Sequence, residues 1–450
     1  MTGRNPAGSE RRQRPHDHTG EAASNEPILD GDPQLIVHPN VEHVRGPEEV
    51  TYTMDELVVL CLVRNGRPYV SSFIEHYSSM GVKHMVFLDN GSTDGTVEAL
   101  KGYDNVTVLR SGLPFKRYQM LMKRYLIERF GRGRWTLSVD MDELFDYPYS
   151  DVVSLKALLG YLNENSYTAV VAQMLDMFPQ EPVSDAVSDE DEPLKELHRF
   201  YDISNVREQD YWEFPFVSGV GNVLANEEIG IYRNGIQNTV FGTLPALTKH
   251  PLILLDGEVE PVDRSAHSVS NARIADLTCV LFHYKFTNHL YELIRDAARR
   301  ENYMRDSGKQ KKWLRVLEET PELLVKSDTS RELKDVNDLV ENGFLIVSEE
   351  YMSWVDAEEE KSIVGTLEGE LHTVEARTDV QTLRARRLER QVRGLRSRLA
   401  EERRKVRSLE ETNRILANRL ERLQASRSWR LLSRLARVRA RMLGKKKPGG

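Results

Sequence analysis

The chain has little cysteine: two residues in 450, Cys61 and Cys279, each inside an apolar stretch ("LVVLCLV" and "TCVLFHY"). One bridge at most excludes a disulfide framework, and neither spacing suggests a zinc motif. Buried thiols of a reducing compartment are the expectation. Also missing is any apolar run near the ~20 residues that a membrane span needs, and the first residues carry no apolar signal core. The chain is therefore expected in the cytoplasm, with any membrane contact peripheral, on the inner face of the cell membrane. A phosphate loop is missing too, since "LDNGSTDGT" has no Lys after its second Gly. No repeat of 20 to 50 residues marks a solenoid.

What is present is a large apolar fraction, 40%, beside 29% charged residues, so one part of the chain builds a core and another does not. The net charge of −8 conceals an asymmetry: residues 384–447 hold 23 Lys or Arg against 6 Asp or Glu. An acidic body with a basic tail points to a separate partner for the tail.

Residues 1–50 are rich in Gly, Pro, Ser, Asn and charge and are expected to be disordered. Strand-like runs then alternate with helical ones. "ELVVLCLVRN" (56–65) has the length and composition of a buried parallel strand. Val70, Phe73, Ile74 and Tyr77 share a helical face closed by Gly81. "HMVFLDN" (84–90) and "NVTVLR" (105–110) read as strands around a helix in "TVEALKGY". A helix over 116–130 leads to the strand "WTLSVDMD" (135–142), and "YTAVVAQML" (167–175) is a further strand. This alternation predicts an α/β fold with a mostly parallel sheet, helices on both faces and ligands at the carboxyl ends of the strands. Helices dominate from about 287, and a helical extension is assigned to 306–365.

Over 366–425 the pattern has a period of seven. With Val392 at position a, twelve of the sixteen a and d positions are apolar or Ala. Asn413 at an a position fits a parallel homodimeric coiled coil in fixed register. In 426–450, Trp429, Leu432, Leu435 and Met442 form a stripe among Arg and Lys, a basic amphipathic helix suited to an anionic membrane surface. The apolar stripe argues against nucleic acid as the tail's partner.

Three polar clusters fall at predicted strand ends: Arg64 and Asn65, Asp89 and Asn90, Asp140 and Asp142. If the strand continues through the last pair, both carboxylates share one face and Glu143 points to the other, outside the site. Two oxygen ligands of this kind suit Mn²⁺ or Mg²⁺, which bind carboxylates together with substrate phosphates. Asp89 is suited to bond a ribose or base.

The strings "VVLCLVRNGRPYVSSFIEHYSSMGVKHMVFLDNGSTDGTVEAL", "VDMDELF", "YRNGIQNTVFGTLPALTKHPLI" and "VLFHYKF" together resemble the GT-A, family 2-like glycosyltransferases. The likeness is to the bacterial branch that reads V-R-N-E, then D-N-x-S-x-D-G-T, then D-x-D-E. The resemblance covers about 55 to 305, within a domain taken as 51–305. It implies a Rossmann-like GT-A body that binds a nucleotide-sugar donor, with Arg64, Asn65, Asp89 and Asn90 cradling the nucleotide. Asp140 lies near ribose and metal by the same likeness, Asp142 binds the metal, and a late His, His283, completes the metal site. Lys285 shares the face of His283 and meets the diphosphate, a task for which Lys116, Arg117 and Gln119 are weaker candidates. Gly66 stands where the family usually has Glu. Inverting transfer to a glycan, lipid-linked or other surface-polymer acceptor needs a general base. Asp176 is the first choice and Glu213 the second. Two other readings stay open: a nucleotidyltransferase, and an inactive body serving as a coiled-coil assembly module.

Overall fold

A computed structural model of the chain describes residues 31–187, 193–300 and 307–369, with scattered helical positions between 385 and 406. The expectation of disorder over 1–50 does not hold for its last twenty residues. A short helix at Pro33–Ile36 precedes β1 (Val41–Arg45), which pairs antiparallel with β4 (Val106–Ser111). Gly46 makes the exit from β1 possible: at φ +88° an added Cβ would meet the Val106 carbonyl at 2.4 Å.

The centre is a ten-stranded mixed sheet. Besides β1 and β4 it holds β2 (Val58–Val63), β3 (His84–Asp89), β5 (Trp135–Val139), β6 (Glu143–Asp146), β7 (Ala169–Asp176), β8 (Thr248–Leu254), β9 (Arg273–His283) and a two-residue edge strand, Val223–Leu224. Across the sheet the order is β1-β4-β3-β2-β5-β8-β7-β9 and then the edge strand, with β6 pairing β9 outside this path. Strands β2, β3, β4 and β5 are mutually parallel, and β7 is parallel to β9. β8 runs antiparallel between β5 and β7. Two antiparallel steps restore the direction, so β2, β3, β5, β7 and β9 all end at the same edge. β8 instead begins there.

Burial explains why these segments are strands. Every position of β2, β3 and β7 is buried, and each buried Val, Leu or Ile contributes roughly 1.5–3 kcal/mol. The strand interiors are thereby fixed by apolar contact, and only their ends are left for polar chemistry. Helix α1 (Val70–Ser79) buries Val70, Phe73, Ile74 and Tyr77, the predicted stripe, and Gly81 beyond it has φ +87°. It shares one core with α2 (Thr96–Leu100), with α4 (Leu155–Glu164) and with Val336, Leu339, Phe344 and Tyr351. On the other face α3 (Phe115–Phe130) buries Met120, Leu121, Tyr125 and Ile127 against Val58, Leu60 and Val86. The sheet is therefore covered on both sides.

The region 306–365 contains helices Ser307–Glu319, Asn337–Glu341 and Glu349–Gly369, the last of them running four residues past it. It packs into the body's own core and pairs a short strand, Arg331–Glu332, with Phe200–Tyr201. The boundary at 305 is thus not a break in the packing. The basic tail, and most of the heptad segment, lie outside the described residues. No helix among those described is long and apolar enough to cross a membrane.

Candidate active site at the carboxyl edge

At the ends of β2 and β3 the expected nucleotide-binding residues are engaged by the surrounding loops. Asp89 is fully buried and accepts from the Gly91 and Ser92 amides at 3.3 and 3.0 Å and from Arg110 Nε at 3.4 Å. The Asn90 amide group donates to the carbonyls of Ser111 and Leu113. Arg64 donates to the Asn90 carbonyl at 2.6 Å, and Asn65 accepts from the Thr93 amide at 2.9 Å. Asn65 itself has φ +52°, a conformation that Asn tolerates better than most residues. These four side chains brace two loops, and such braces set the shape of the edge.

Gly66 follows with φ −100°, so no left-handed backbone demands glycine there. Space does. An added Cβ would lie 2.8 Å from Met141 Cγ and 2.8 Å from Val63 Cγ2. The Met141 side chain, between the two aspartates in sequence, occupies the volume that a side chain at position 66 would need.

The strand expected over 135–142 stops at Val139, and residues 141 and 142 form a turn into β6. Period-two alternation therefore does not carry through the pair, and two expectations fail for that reason. Asp140 is drawn to lysines rather than to Asp142: Lys123 Nζ donates to Oδ1 at 2.7 Å and Lys249 Nζ to Oδ2 at 2.9 Å. Glu143, expected to point away, joins the site, because β6 and β9 place it opposite His283. Lys249 also donates to Glu143, and the second Glu143 oxygen accepts from the Asp140 amide at 3.0 Å. Burial favours neutral carboxyl at Asp140, but Lys123 and Lys249 outweigh it and hold the group well below the usual carboxylate range. Lys249 moves up for the matching reason, its carboxylates overcoming burial.

Beside this cluster stands a second one. His283 Nε2 lies 3.3 Å from Asp142 Oδ2, and Lys285 Nζ lies 3.6 Å from the same oxygen. On the far side of the ring, His283 Nδ1 is 2.6 Å from Asp176 Oδ1, and Gln237 Nε2 donates to both Asp176 oxygens at 3.0 and 3.1 Å. Burial depresses the imidazole, yet Asp142 more than compensates and pushes its pKa up to about 9. Asp142 is likewise held far below the carboxylate range, Lys285 and His283 overriding burial.

Asp142, Glu143 and His283 each offer one ligand atom, and these atoms lie within 4.8 Å of one another. The donor set, carboxylate oxygen with an imidazole whose other nitrogen is held by a carboxylate, fits a divalent cation. Glu143 is the most committed of the three because Lys249 already grips it. Asp176, the first choice for general base, has both oxygens engaged and 5% exposure. Its contacts are those of a residue that orients His283.

Glu213 sits exposed on the turn Tyr211–Glu213, without a hydrogen bond to the Asp142 cluster. Lys116 and Gln119 occupy the face of α3 that carries Lys123, seven and four residues earlier, and all of 116–119 are half-buried. Arg117 places its guanidinium 5.6 Å from the Tyr118 ring. The residues that sequence reasoning missed are Lys123, Lys249, Glu143 and Gln237. Lys123 was within reach, one turn beyond Gln119. Lys249 needed the direction of β8 and the register shift between Lys249 and Leu252.

No family model matches this chain, and no curated protein does. Among solved structures, S. aureus TarS is similar over 59% of this chain and 43% of its own length, at 14% identity and a TM-score of 0.27. This chain thus spans less than half of TarS. A nucleotidyl transferase from Methanothermobacter overlaps 29% of this chain and 67% of its own, at 14% identity and a TM-score of 0.17. UDP-glucose pyrophosphorylase complexed with UDP-glucose overlaps 33% and 66%, at 11% identity and a TM-score of 0.17. Overlaps this low assign no function, and the functional reading rests on the site itself.

Proposed function

We propose that this chain is a metal-dependent glycosyltransferase that moves a sugar from a nucleoside-diphosphate donor to a glycan or other surface-polymer acceptor. The observation that carries the reading is the meeting of Asp142, Glu143 and His283 within 4.8 Å at the edge where the parallel strands end. The motif resemblance at "LDNGSTDGT", "VDMDELF" and "FHYKF" supports the same reading.

Asp142 and His283 are the residues that would hold Mn²⁺ or Mg²⁺, with Glu143 behind them. The bound ion would supply Lewis-acid stabilisation of the diphosphate charge. Asp176 fixes the His283 ring by accepting from Nδ1, which leaves Nε2 toward Asp142. Lys285 brings a second cation to the same oxygen of Asp142 and is suited to the leaving diphosphate. The braced loops of Asp89 and Asn65 shape the nucleotide side. Glu213, exposed and without a hydrogen-bonded partner for its carboxylate among the described residues, takes over as the candidate base for the acceptor hydroxyl. Inversion at the anomeric carbon belongs to the proposal.

The large apolar residues at described a and d positions of the heptad segment, Leu388, Val392, Leu395, Leu399 and Val406, are 45–63% exposed, which supports pairing with a second copy. Docking of 426–450 on an anionic membrane is proposed from its sequence alone.

The test is a thermal-shift screen of UDP-, GDP-, dTDP- and CMP-sugars with and without Mn²⁺. One nucleotide class is expected to raise the melting temperature only with Mn²⁺, since a ligand for the folded state stabilises it. No shift with any donor would sink the proposal.

A further inference from the structure

Residues 210–224, "DYWEFPFVSGVGNVL", hold four aromatic side chains, two acids and no Lys or Arg. Burial takes only part of this apolar content. Tyr211 is 2% exposed, whereas Trp212, Phe216 and Val220 are 48%, 50% and 42% exposed. One exposed apolar residue needs no explanation; a group of them on one segment marks a binding surface.

The segment is held firmly. The Tyr211 hydroxyl lies 2.8 Å from His250 Nε2 and accepts from Asn222 Nδ2 at 3.0 Å. Asn222, itself buried, also donates to the Ser218 and Val269 carbonyls and accepts from the Ala272 amide at 2.8 Å. Gly219 has φ +78°, and an added Cβ would lie 1.8 Å from the Val269 carbonyl oxygen, so only glycine lets the chain pass. Asp210 closes the turn by accepting from the Trp212 amide at 2.8 Å. Rings presented on a fixed backbone lose little freedom when they bind.

Two lines of contact join these rings to the carboxyl edge. The Trp212 ring stands edge-on to Tyr211, centroids 4.9 Å apart, and Tyr211 reaches His250, the residue after Lys249. The Phe216 carbonyl accepts from the Ser265 hydroxyl, which accepts from the His267 amide at 3.1 Å. His267 Nδ1 then donates to the Thr248 carbonyl at 3.0 Å. Thr248 and Lys249 open β8 at that edge, where Lys249 holds Asp140 and Glu143. Both lines end on the same two residues, and the exposed Glu213 lies between the two rings in sequence.

We propose that Trp212 and Phe216 are a stacking platform for the acceptor, and that the acceptor is a glycan built of pyranose rings. The inference rests on the reading above that the site transfers a sugar. A pyranose presents a face of C–H bonds to the electron-rich face of an aromatic ring. Its rim of hydroxyls suits a carboxylate such as Glu213, which accepts hydrogen bonds strongly. Anionic lipid, nucleic acid and phosphate-linked polymers need cations, which residues 210–224 lack, and Asp210 and Glu213 repel them.

The experiment is retention of the labelled full chain on an array of neutral pyranose oligosaccharides, as wild type, Trp212→Ala, Trp212→Phe and Phe216→Ala. Leu35→Ala, at an apolar residue 75% exposed on the first helix, serves as control. Trp212→Ala and Phe216→Ala are each expected to weaken retention about tenfold, as loss of an aromatic anchor does. Trp212→Phe and Leu35→Ala are expected to stay near wild type, with Mn²⁺ affinity and melting temperature unchanged throughout. Flotation with phosphatidylglycerol vesicles and sedimentation are run on the same variants. Loss of vesicle binding or of self-association in Trp212→Ala, with glycan retention unchanged, overturns the platform. So does a wild type that retains no oligosaccharide. The donor screen with Mn²⁺ reads the transferase reading separately. A donor shift without glycan retention removes the platform alone, and Trp212-dependent retention without any donor shift removes the transferase reading and leaves a sugar-binding surface.

Discussion

The cluster around Asp140 and the cluster around Asp142 begin two residues apart in sequence and are built from the same materials. Each has two carboxylates and two cationic side chains. In the first, Lys123 and Lys249 satisfy Asp140 and Glu143 through direct contacts, and both lysine side chains are 6% exposed. In the second, the contacts to Asp142 open to 3.3 and 3.6 Å, and Lys285 is 30% exposed. The first is closed by charge rather than by burial, since the Asp140 side chain is 36% exposed against 22% for Asp142, and its ion pairs hold the edge together. The second is held from behind by Asp176 and Gln237 and is left open in front. Proximity of carboxylates alone does not mark a metal site; what matters is whether their charge is already cancelled.

The comparison breaks most visibly if a closed pair is opened. Lys249→Met leaves Glu143, 1% exposed, without its cation, and breaking a buried pair costs about 3–5 kcal/mol. Urea unfolding is expected to show that loss, with Mn²⁺ affinity per folded molecule not lowered, since the Glu143 carboxylate is then free of its lysine. An equal drop in Mn²⁺ affinity and no loss of stability would reverse the assignments of the two clusters.

In the open cluster, Asp176→Asn is expected to act on the metal rather than on the fold. Outer partners of a ligating histidine are worth about 10- to 100-fold in affinity. A Mn²⁺ titration should show a loss in that range with a nearly unchanged urea midpoint. If Asp176 is the general base instead, Mn²⁺ affinity stays intact and only turnover falls.

Acidity acts with opposite signs on the two histidines His250 and His267 near Lys249 and on His283. Burial holds His250 down to about 4, and burial with Lys249 holds His267 down to about 3, against an ordinary 6.5. Both are neutral in the folded chain, so their contribution is complete above pH 6.5. It is lost as pH falls through 6.5 toward those values, at about 1.4 kcal/mol per pH unit for each histidine. His283 works the other way. Its value of about 9 lies above 6.5, so its contribution is complete below pH 6.5 and is lost as pH rises toward 9. Urea midpoints of the metal-free protein should therefore fall on both sides of neutrality. On the proposed function Mn²⁺ takes the place of the proton on His283, so it should remove the alkaline decline and leave the acid one. A decline on the acid side alone would mean that His283 carries no proton.

Much of the edge was legible in the sequence because its signals are local. Apolar runs of strand length end in Asn65, Asp89, Asp140 and Asp176, and each run became a strand of the sheet. The likeness of "LFHYKF" points to His283, and Lys285, two residues on, lies 3.6 Å from Asp142. What escaped depends on pairing between distant segments. "TKHPLIL" carries no mark that it runs antiparallel between β5 and β7, and that direction alone puts Lys249 at the site. Glu143 was misjudged because alternation was extended over a turn. Asp176 was correctly put at a strand end, but its role depends on Gln237 and His283, 61 and 107 residues away. Gly66 reads as a departure in sequence and as a packing contact with Met141 in space.

The most direct test of the central claim is a Mn²⁺ titration, followed by the EPR signal of the free ion, on the wild type, Asp142→Ala and Asp140→Asn. Asp142→Ala is expected to lose about a hundredfold or more in affinity, since even an outer partner is worth up to that much. Asp140→Asn is expected to bind Mn²⁺ much as the wild type does. The opposite pattern, binding kept in Asp142→Ala and lost in Asp140→Asn, would place the ion in the cluster held to be closed and contradict the account.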